Sequence, residues 1–241
     1  MHHWKFKPAA DLGLGPRERC VSLRRENGLG NTLMHYAWLG FARSFLVCWN
    51  RLEIIGREHL PCQPRFVMVA NHMSHLDAPA LAATLPLKWC DQVFPIAAGD
   101  VFFARQTVAD FAGLVANALP VWRRNSYGAG HAMEALRDRI TREAAIYILF
   151  PEGTRSRDGK MLPFKNGIGA LVAGTAVPVV PCHIAGTAAA GPVGAHFPGR
   201  HKITVRIGQP LDFQSATNDR DGWASVAEIT RQAVEQLAAQ R

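Results

Sequence analysis

Two histidines and an aspartate lie close together in the stretch 69–79, which reads VANHMSHLDAP. His72 and Asp77 are five residues apart, so an intervening turn can bring the carboxylate onto the imidazole. That contact would fix the tautomer of the ring and support it as a proton acceptor. In one alternative, Asp77 only caps a helix. In another, His72, His75 and Asp77 bind a metal ion, although helical metal sites place two histidines four residues apart.

A second polar cluster follows the apolar run IYIL and reads FPEGTRSRDGK over 150–160. Gly153 allows a sharp turn of the backbone. Arg155, with Lys165 further along and Arg123 after the apolar run LPV, supplies cations, and an arginine can bind two phosphate oxygens at once. The cluster therefore indicates a phosphate site, and a solvated charged turn is the alternative.

The hydrophobic patterns predict alternating strands and helices after residue 50. The predicted strands are 51–56, 65–70, 92–97, 119–122, 144–150, 177–185 and 202–208, and the predicted helices are 79–85, 103–119, 127–140, 167–176 and 222–240. This order favours an α/β fold with a single mixed sheet flanked by helices. Pro178 and Pro181 indicate that their strand is an edge strand or begins there. Sites in such sheets collect where strands end, which is where His72 and Asp77 lie.

A strongly apolar stretch runs from Asn31 to Asn50, with Arg43 as its only formal charge. On a helix, Asn31, His35, Arg43 and Asn50 fall near one stripe, and most of the remaining surface is apolar. Such a helix is either deeply buried or lies in a bilayer interface. We expect an interfacial, membrane-associated helix, because a mid-span arginine disfavours a crossing. A core helix and a membrane span are the alternatives.

The charge balance narrows the class of partner. The chain of 241 residues has a formal net charge of +8, and its first 65 residues hold ten Lys or Arg against five Asp or Glu. This excess suits anionic partners such as phosphate-bearing substrates, acidic carrier proteins and an anionic membrane surface. Cations do not alternate with aromatics as in single-strand binders, so we expect no nucleic-acid partner. We assign 1–50 to a basic segment with the interfacial helix and 51–241 to the α/β domain.

The cysteines and the N-terminus indicate where in the cell the protein lies. Five scattered cysteines without a Cys-x-x-Cys pair are typical of reduced thiols in a protein that faces the cytosol. The charged N-terminus lacks the apolar run of a secretory signal. We therefore expect a peripheral or monotopic protein on the cytoplasmic face of the cell membrane.

Four ordered blocks between 65 and 186 together resemble the glycerophospholipid acyltransferase family, which contains the 1-acylglycerol-3-phosphate acyltransferases. The matching residues are Asn71, His72, Ser74 and Asp77 in the first block, Gly113 to Arg123 in the second, Phe150 to Ser156 in the third and Val177 to Pro181 in the fourth. The first and third blocks are the most specific. In the second, Trp122 replaces an aliphatic or Phe residue and Arg124 follows; we assign the phosphate role to Arg123, with Arg124 as the alternative.

The resemblance implies a reaction and a set of roles. It implies transfer of a fatty acyl chain from acyl-CoA or acyl carrier protein to the free hydroxyl of a lysophospholipid, by default 1-acylglycerol-3-phosphate. It makes His72 and Asp77 the general base pair, without cofactor or metal. The implied substrate-binding residues are Asn71, Ser74, Arg123, Glu152, Gly153, Thr154, Arg155 and Lys165.

No Gly-x-Ser-x-Gly nucleophile is present in the sequence, in keeping with direct attack by the acceptor hydroxyl. The backbone amides of the turn at 71–74 are the expected donors to the oxyanion. Two alternatives from other classes are a metal-dependent hydrolase that uses His72, His75 and Asp77, and a non-catalytic lipid-binding module.

Overall fold

Strands and helices alternate in the computed structural model, which describes residues 11–15, 18, 22, 23, 25, 28–99, 109–121, 129–156, 159–192 and 197–240. The strands are β1 (Glu53–Ile55), β2 (Phe66–Ala70), β3 (Val93–Ala98), β4 (Leu119–Val121), β5 (Ile146–Leu149), β6 (Val179–Ala185) and β7 (Thr204–Ile207). The helices are α1 (Leu29–Cys48), α2 (Asp77–Thr84), α3 (Ala129–Arg142), α4 (Gly167–Val172), α5 (Thr187–Ala190) and α6 (Arg220–Ala239). Other helical segments are 3₁₀ turns at Arg57–His59 and Leu87–Gln92 and a π-helical turn at Phe111–Val115.

The strands of the described residues form one seven-stranded sheet in the order β1-β7-β6-β2-β5-β3-β4. Strands β6, β2, β5, β3 and β4 run parallel, and β7 pairs antiparallel with β6. Parallel strands covered on both faces read as continuous apolar runs, as β2 does with all five of its residues buried. The mixed α/β sheet predicted from the sequence is confirmed.

Alternate residues of β2 pack into two separate cores. Phe66 and Met68 join side chains of α1 and α2 on one face of the sheet. Val67 and Val69 join side chains of α3, α4 and α6 on the other face. Because successive side chains of a strand point to opposite faces, one apolar run supplies both layers.

The prediction that β6 is an edge strand is wrong, because β6 lies between β7 and β2. Pro178 directly precedes its first residue, which fits the other half of the prediction, a strand start. Pro181 is inside the strand, where its carbonyl accepts a hydrogen bond of 2.8 Å from the Gly208 amide. Two residues earlier, Val179 exchanges hydrogen bonds with Leu211, so β6 stays paired on this side although Pro181 lacks an N–H.

Helix α1 packs on the domain with one face and exposes apolar side chains on the other. Its buried stripe consists of His35, Leu39, Ala42 and Leu46. Its exposed large apolar side chains include Leu29, Leu33, Phe41 and Val47. Part of the polar stripe identified in the sequence therefore faces the domain, because its member His35 is buried. No helix within the described ranges is long and apolar enough to cross a bilayer.

The helix predicted over 103–119 lies partly outside the described residues. Its described end is the π-helical turn, which stops at Val115. Asn117 then takes a φ of 53°, a left-handed conformation that asparagine tolerates better than most residues. The chain therefore leaves the helix abruptly and enters β4 at Leu119.

Candidate active site

The first sequence block lies at the carboxyl end of β2. Asn71 follows the strand and is fully buried, with its side-chain amide donating to the Ile184 carbonyl (2.9 Å) and its oxygen accepting from the Ile184 amide (2.8 Å). This two-way bridge fixes the end of β2 to β6. The chain then makes a turn and begins α2 at Asp77.

Asp77 organises that turn through one oxygen. Its Oδ2 accepts hydrogen bonds from His72 Nδ1 (2.9 Å), the Met73 amide (2.6 Å) and the Ser74 amide (2.7 Å). The carboxylate is fully buried, and an ionised carboxylate can only accept, so the proton between the two side chains lies on Nδ1. The ring nitrogen left for chemistry is Nε2, which no described residue hydrogen-bonds. Asp77 therefore orients the histidine and does more than cap α2.

Phe150 stacks on one face of the His72 ring. The two ring centroids are 4.2 Å apart and the planes differ by 18°, a stacked arrangement. The imidazole is thus held by a hydrogen bond at its edge and an aromatic ring at its face, and its side chain is 17% exposed. The sequence placed Phe150 in the third block, but nothing in the sequence assigned it this contact.

Glu152 supports the same loop from the other side. Its Oε1 accepts from the His72 amide at 2.7 Å and its Oε2 from the Leu162 amide at 2.9 Å. The side chain is buried, and burial raises the pKa of this carboxyl group above its ordinary value. Both oxygens are committed to the protein backbone, so these contacts position His72 and offer nothing to a phosphate group.

Ser74 is also part of the scaffold. Its hydroxyl donates to the Gly191 carbonyl (2.7 Å) and accepts from the Leu76 amide (3.3 Å), and the residue is buried. The amides of His72, Met73 and Ser74 all donate to carboxylates. The expectation that amides of this turn stabilise the oxyanion is therefore wrong for these three groups, because a neighbouring carboxylate already holds each of them.

Cationic side chains lie beside this loop. Gly153 has a φ of +69°, and Lys165 Nζ lies 2.7 Å from the position that a β-carbon would take there, so glycine permits the close approach. Thr154 and Arg155 line the same cavity as His72. His75 also lines this cavity. Partial burial is the main cause that lowers the pKa of His75, and the positive charge of Arg155 lowers it further. Arg123 and Arg124 lie outside the described residues.

The cavity next to His72 has a volume of about 600 Å³. It runs between the sheet, α1, α2 and the π-helical turn, and its wall is mostly apolar. The apolar lining residues are Trp38, Leu39, Ala42, Leu76, Ala78, Pro79, Ala82, Val93, Pro95, Ile96, Ala97, Phe111, Ala112, Val115, Ala116, Ala118, Val121, Leu149 and Phe150. A volume of this size is typical of a small-molecule site. The histidine therefore faces a space suited to a hydrocarbon chain.

The metal-site alternative finds no ligand set in the described part of the chain, where no three His, Cys, Asp or Glu side chains form a metal-binding group. At the proposed position, Asp77 Oδ2 already accepts from three nitrogen donors. These contacts suit an orienting carboxylate better than a metal ligand.

A comparison with protein families decides the class of this chain. A family model described as Acyltransferase matches residues 51–185, which is more than half of the chain and includes the loop around His72, Glu152 and Arg155. The chain belongs to the acyltransferase family. The family resemblance drawn from the four blocks is thus confirmed.

Individual curated members of the family are similar to this chain. It is 33% identical over 132 residues to the 1-acyl-sn-glycerol-3-phosphate acyltransferase alpha of Mus musculus, covering 54% of this chain and 44% of that protein. It is 30% identical over 174 residues to the 1-acyl-sn-glycerol-3-phosphate acyltransferase of Limnanthes douglasii, covering 70% of this chain and 57% of that protein. The chain thus spans about half the length of the curated relatives it matches.

A solved structure has a similar fold over most of this chain. The crystal structure of the 1-acyl-sn-glycerophosphate (LPA) acyltransferase PlsC from Thermotoga maritima superposes with a TM-score of 0.65 and 25% sequence identity. The match covers 87% of this chain and 80% of that chain. It therefore includes more than the segment that the family model recognises.

Replacing Glu152 with glutamine tests its role in holding the loop that carries His72. Glutamine has one acceptor oxygen, so either the His72 or the Leu162 amide loses its partner. A buried unsatisfied amide costs about 1–3 kcal/mol, and we expect a drop of that size in the free energy of unfolding in urea. Glu134→Gln on α3, where the glutamate side chain is 78% exposed, is the matched control and should change stability by less than about 0.5 kcal/mol. Equal stability of the two variants would contradict this role.

Proposed function

We propose that the protein is an O-acyltransferase that moves a fatty acyl chain from a thioester to the free hydroxyl of a lysophospholipid, with 1-acylglycerol-3-phosphate as the acceptor. The observation that carries the proposal is the His72–Asp77 pair at the wall of the apolar cavity. An orienting carboxylate, a free ring nitrogen and room for a hydrocarbon chain are the requirements of base-catalysed acyl transfer to an alcohol. The names of the relatives support the same choice of acceptor.

The reaction begins with deprotonation of the acceptor. An alcohol is a weak nucleophile at neutral pH, so His72 Nε2 takes the hydroxyl proton as the oxygen attacks the thioester carbonyl carbon. The ring becomes an imidazolium with both nitrogens protonated. Asp77, fully buried beside Nδ1, stabilises that positive charge.

The second half of the reaction returns the proton. The tetrahedral intermediate collapses with cleavage of the carbon–sulfur bond, and the Nε2 proton of His72 passes to the leaving thiolate. The products are the ester and a free thiol, and the histidine is neutral again. Phe150 against the ring face and Glu152 on the His72 amide keep the ring in one position through both transfers.

The phosphate of the acceptor binds at the cationic wall. Arg155 lines the cavity with His72, and Lys165 Nζ lies over Gly153 in the same loop. An arginine can clamp two phosphate oxygens, which aligns the glycerol hydroxyl with the base. Arg123, assigned to the phosphate from its sequence block, remains a prediction. The donor is acyl-CoA or acyl carrier protein; both are anionic and suit the net charge of +8.

We further propose that the protein acts on the cytoplasmic face of the cell membrane, attached peripherally or monotopically through α1. A row of rings runs along α1 and onto the residue after it, in which Phe41, Phe45 and Trp49 follow one another at centroid distances of 6.2 and 6.3 Å. Phe41 and Trp49 are exposed, whereas Phe45 is half-buried and also packs against the core. Phe197, 66% exposed, extends the row from another part of the chain and contacts Phe45. A contiguous exposed apolar surface of this kind favours immersion in a bilayer interface.

Replacing His72 with asparagine tests the base. Asparagine can still donate to Asp77 but lacks the second ring nitrogen, so the fold should survive and catalysis should not. We expect turnover to fall by at least about 100-fold, since general base catalysis is worth about 10²–10⁴-fold, with an unchanged melting temperature. The assay presents the purified protein with a panel of lysophospholipids and both thioester donors, and measures free thiol and ester product.

His131→Asn on α3, where the histidine side chain is 88% exposed, is the control for this substitution. Near-wild-type turnover of the correctly folded His72→Asn variant would contradict the assigned base. The assay also separates the alternatives. Thiol release without ester formation, if it is lost on chelation and restored by zinc, would support a metal-dependent hydrolase. Binding of lipid without any thiol release would support a lipid-binding module.

Replacing Leu33 and Phe41 together with serine tests the membrane surface. These side chains are 66% and 63% exposed, so their loss should leave the melting temperature unchanged. Burying one such side chain is worth about 1.5–3 kcal/mol, and each 1.4 kcal/mol is about tenfold in affinity. We therefore expect at least about tenfold weaker co-sedimentation with anionic liposomes.

The control for the membrane variant is Ile229→Ser on α6, an apolar side chain that is 44% exposed. It should bind liposomes as the wild type does. If the double variant melts at a lower temperature and still sediments with liposomes, the surface packs against protein and the membrane proposal is wrong.

A further inference from the structure

The end of α1 is joined to a segment that follows β6 and precedes β7. Trp49 donates from its indole nitrogen to the Pro198 carbonyl at 3.0 Å, although 149 positions separate the two residues. Asn50, fully buried, donates from Nδ2 to the carbonyls of Gly199 (2.9 Å) and His201 (3.1 Å). Two consecutive residues therefore hold the segment against the helix.

The two joined parts expose apolar rings and a positive charge side by side. Phe197 is 66% exposed and Trp49 39% exposed, and their rings meet edge to face with centroids 6.1 Å apart. The guanidinium of Arg200 lies 5.9 Å from the centroid of the Trp49 ring, within the range of a cation–π contact. We call Trp49, Phe197 and Arg200 the aromatic–basic patch.

The charge of Arg200 is available to a ligand. Lys202, two positions further on, pairs with Glu53 at 2.9 Å. Arg200 is exposed, and no carboxylate among the described residues pairs with it. A guanidinium that rests on an aromatic ring keeps its N–H groups in the plane of its own fork, where they can bind two oxygens of an anion.

The aromatic–basic patch lies at the end of the sheet where His72 lies. Strands β2 and β6 run parallel, and Ala70, the last residue of β2, pairs with Cys182 of β6. Strand β6 ends at Ala185, which pairs with Thr204, the first residue of β7. The connection from β6 to β7, which carries two residues of the patch, therefore starts and finishes at the edge where β2 leads into the turn of His72.

Hydrogen bonds also join this connection to the turn itself. Ser74, in the turn that carries His72, donates its hydroxyl to the Gly191 carbonyl at 2.7 Å. The preceding residue, Ala190, accepts from the Gly199 amide at 2.6 Å. Gly199 is the neighbour of Arg200, so the patch is held at a fixed place relative to the turn.

The chemistry of the patch fits the surface of a bilayer that contains anionic lipid. Indole rings favour the headgroup level, phenyl rings favour the acyl boundary below it, and an arginine binds phosphate oxygens. The ring of Phe197 also contacts Phe45, so the patch is continuous with the exposed apolar surface of α1. An acidic protein would supply a partner for the cation but would leave this apolar surface uncovered.

We propose that the aromatic–basic patch binds the phosphate group of an anionic membrane lipid and is a second attachment point beside α1. The inference rests on the proposed membrane attachment and assigns membrane contact to a part of the chain far from α1 in sequence. A single helix at an interface can roll about its axis, whereas two attachment points fix the domain. The end of the sheet that carries His72 is then held against the bilayer.

The test compares the full chain with its Phe197→Ser and Arg200→Gln variants in co-sedimentation with vesicles of phosphatidylcholine, with or without phosphatidylglycerol. Phe197→Ser should weaken binding to both kinds of vesicle by at least about fivefold, because an inserted ring is lost. Arg200→Gln should weaken binding to the anionic vesicles alone, by about fivefold. High salt should abolish this second difference, because it screens the charge.

The matched controls are Ile229→Ser, at a 44% exposed side chain on α6, and Arg57→Gln, at an exposed arginine after β1. Both should bind vesicles as the wild type does, and all four variants should keep the wild-type melting temperature. An Arg200→Gln variant with wild-type binding overturns the phosphate site. A folded Phe197→Ser variant with wild-type binding overturns the insertion of the patch; if that variant does not fold, Arg200→Gln decides alone.

The double variant of Leu33 and Phe41 separates this inference from the proposed attachment through α1. If that variant loses binding while Phe197→Ser and Arg200→Gln retain it, α1 attaches the protein alone and the patch is wrong. If the patch variants lose binding and the α1 variant retains it, the patch stands and attachment through α1 is wrong. A wild-type protein that binds neither kind of vesicle overturns both. Sedimentation needs no turnover, so the proposed acyl transfer is judged separately.

Discussion

One buried oxygen atom, Asp77 Oδ2, determines the geometry of the site. It accepts three hydrogen bonds, from the ring of His72 and from two amides of the turn that joins β2 to α2. A buried carboxylate is tolerated only when such donors surround it. The same contacts that stabilise the carboxylate therefore shape the turn and aim the imidazole, so the turn and the orientation of His72 depend on one side chain. Glu152 repeats the arrangement on the other side, with two backbone amides as its partners.

The site around His72 has one apolar side and one positively charged side. Phe150 stacks on one face of His72 and the ring borders the apolar cavity, while Arg155 and Lys165 provide positive charge near Gly153. Helix α1 links this site to the exterior. Its inner stripe forms part of the cavity wall, and its outer side chains form the exposed apolar surface. In the proposed membrane attachment, α1 would therefore lie between the bilayer and the cavity that it lines.

The sequence predicted what depends on short-range pattern. Hydrophobic periodicity gave the strands and most helices, and a separation of five residues was enough to foresee the contact between His72 and Asp77. It did not predict the contacts of Glu152 with a residue 80 positions away, or of His35 with one 56 positions away. Such pairs depend on strand order, which periodicity does not encode. The sequence placed His35 on a polar stripe of its helix but gave it no partner, whereas the fold buries the ring and brings Nδ1 within 2.7 Å of Asp91.

The most direct test of this account is the tautomer of His72, read by nitrogen NMR of the ring-labelled protein at neutral pH. The resonances are assigned by their loss in the His72→Asn variant. If Asp77 holds the ring as a base, Nδ1 carries the proton and Nε2 is unprotonated. A neutral ring with its proton on Nε2 would contradict the account, because the nitrogen that faces the substrate could not then accept a proton.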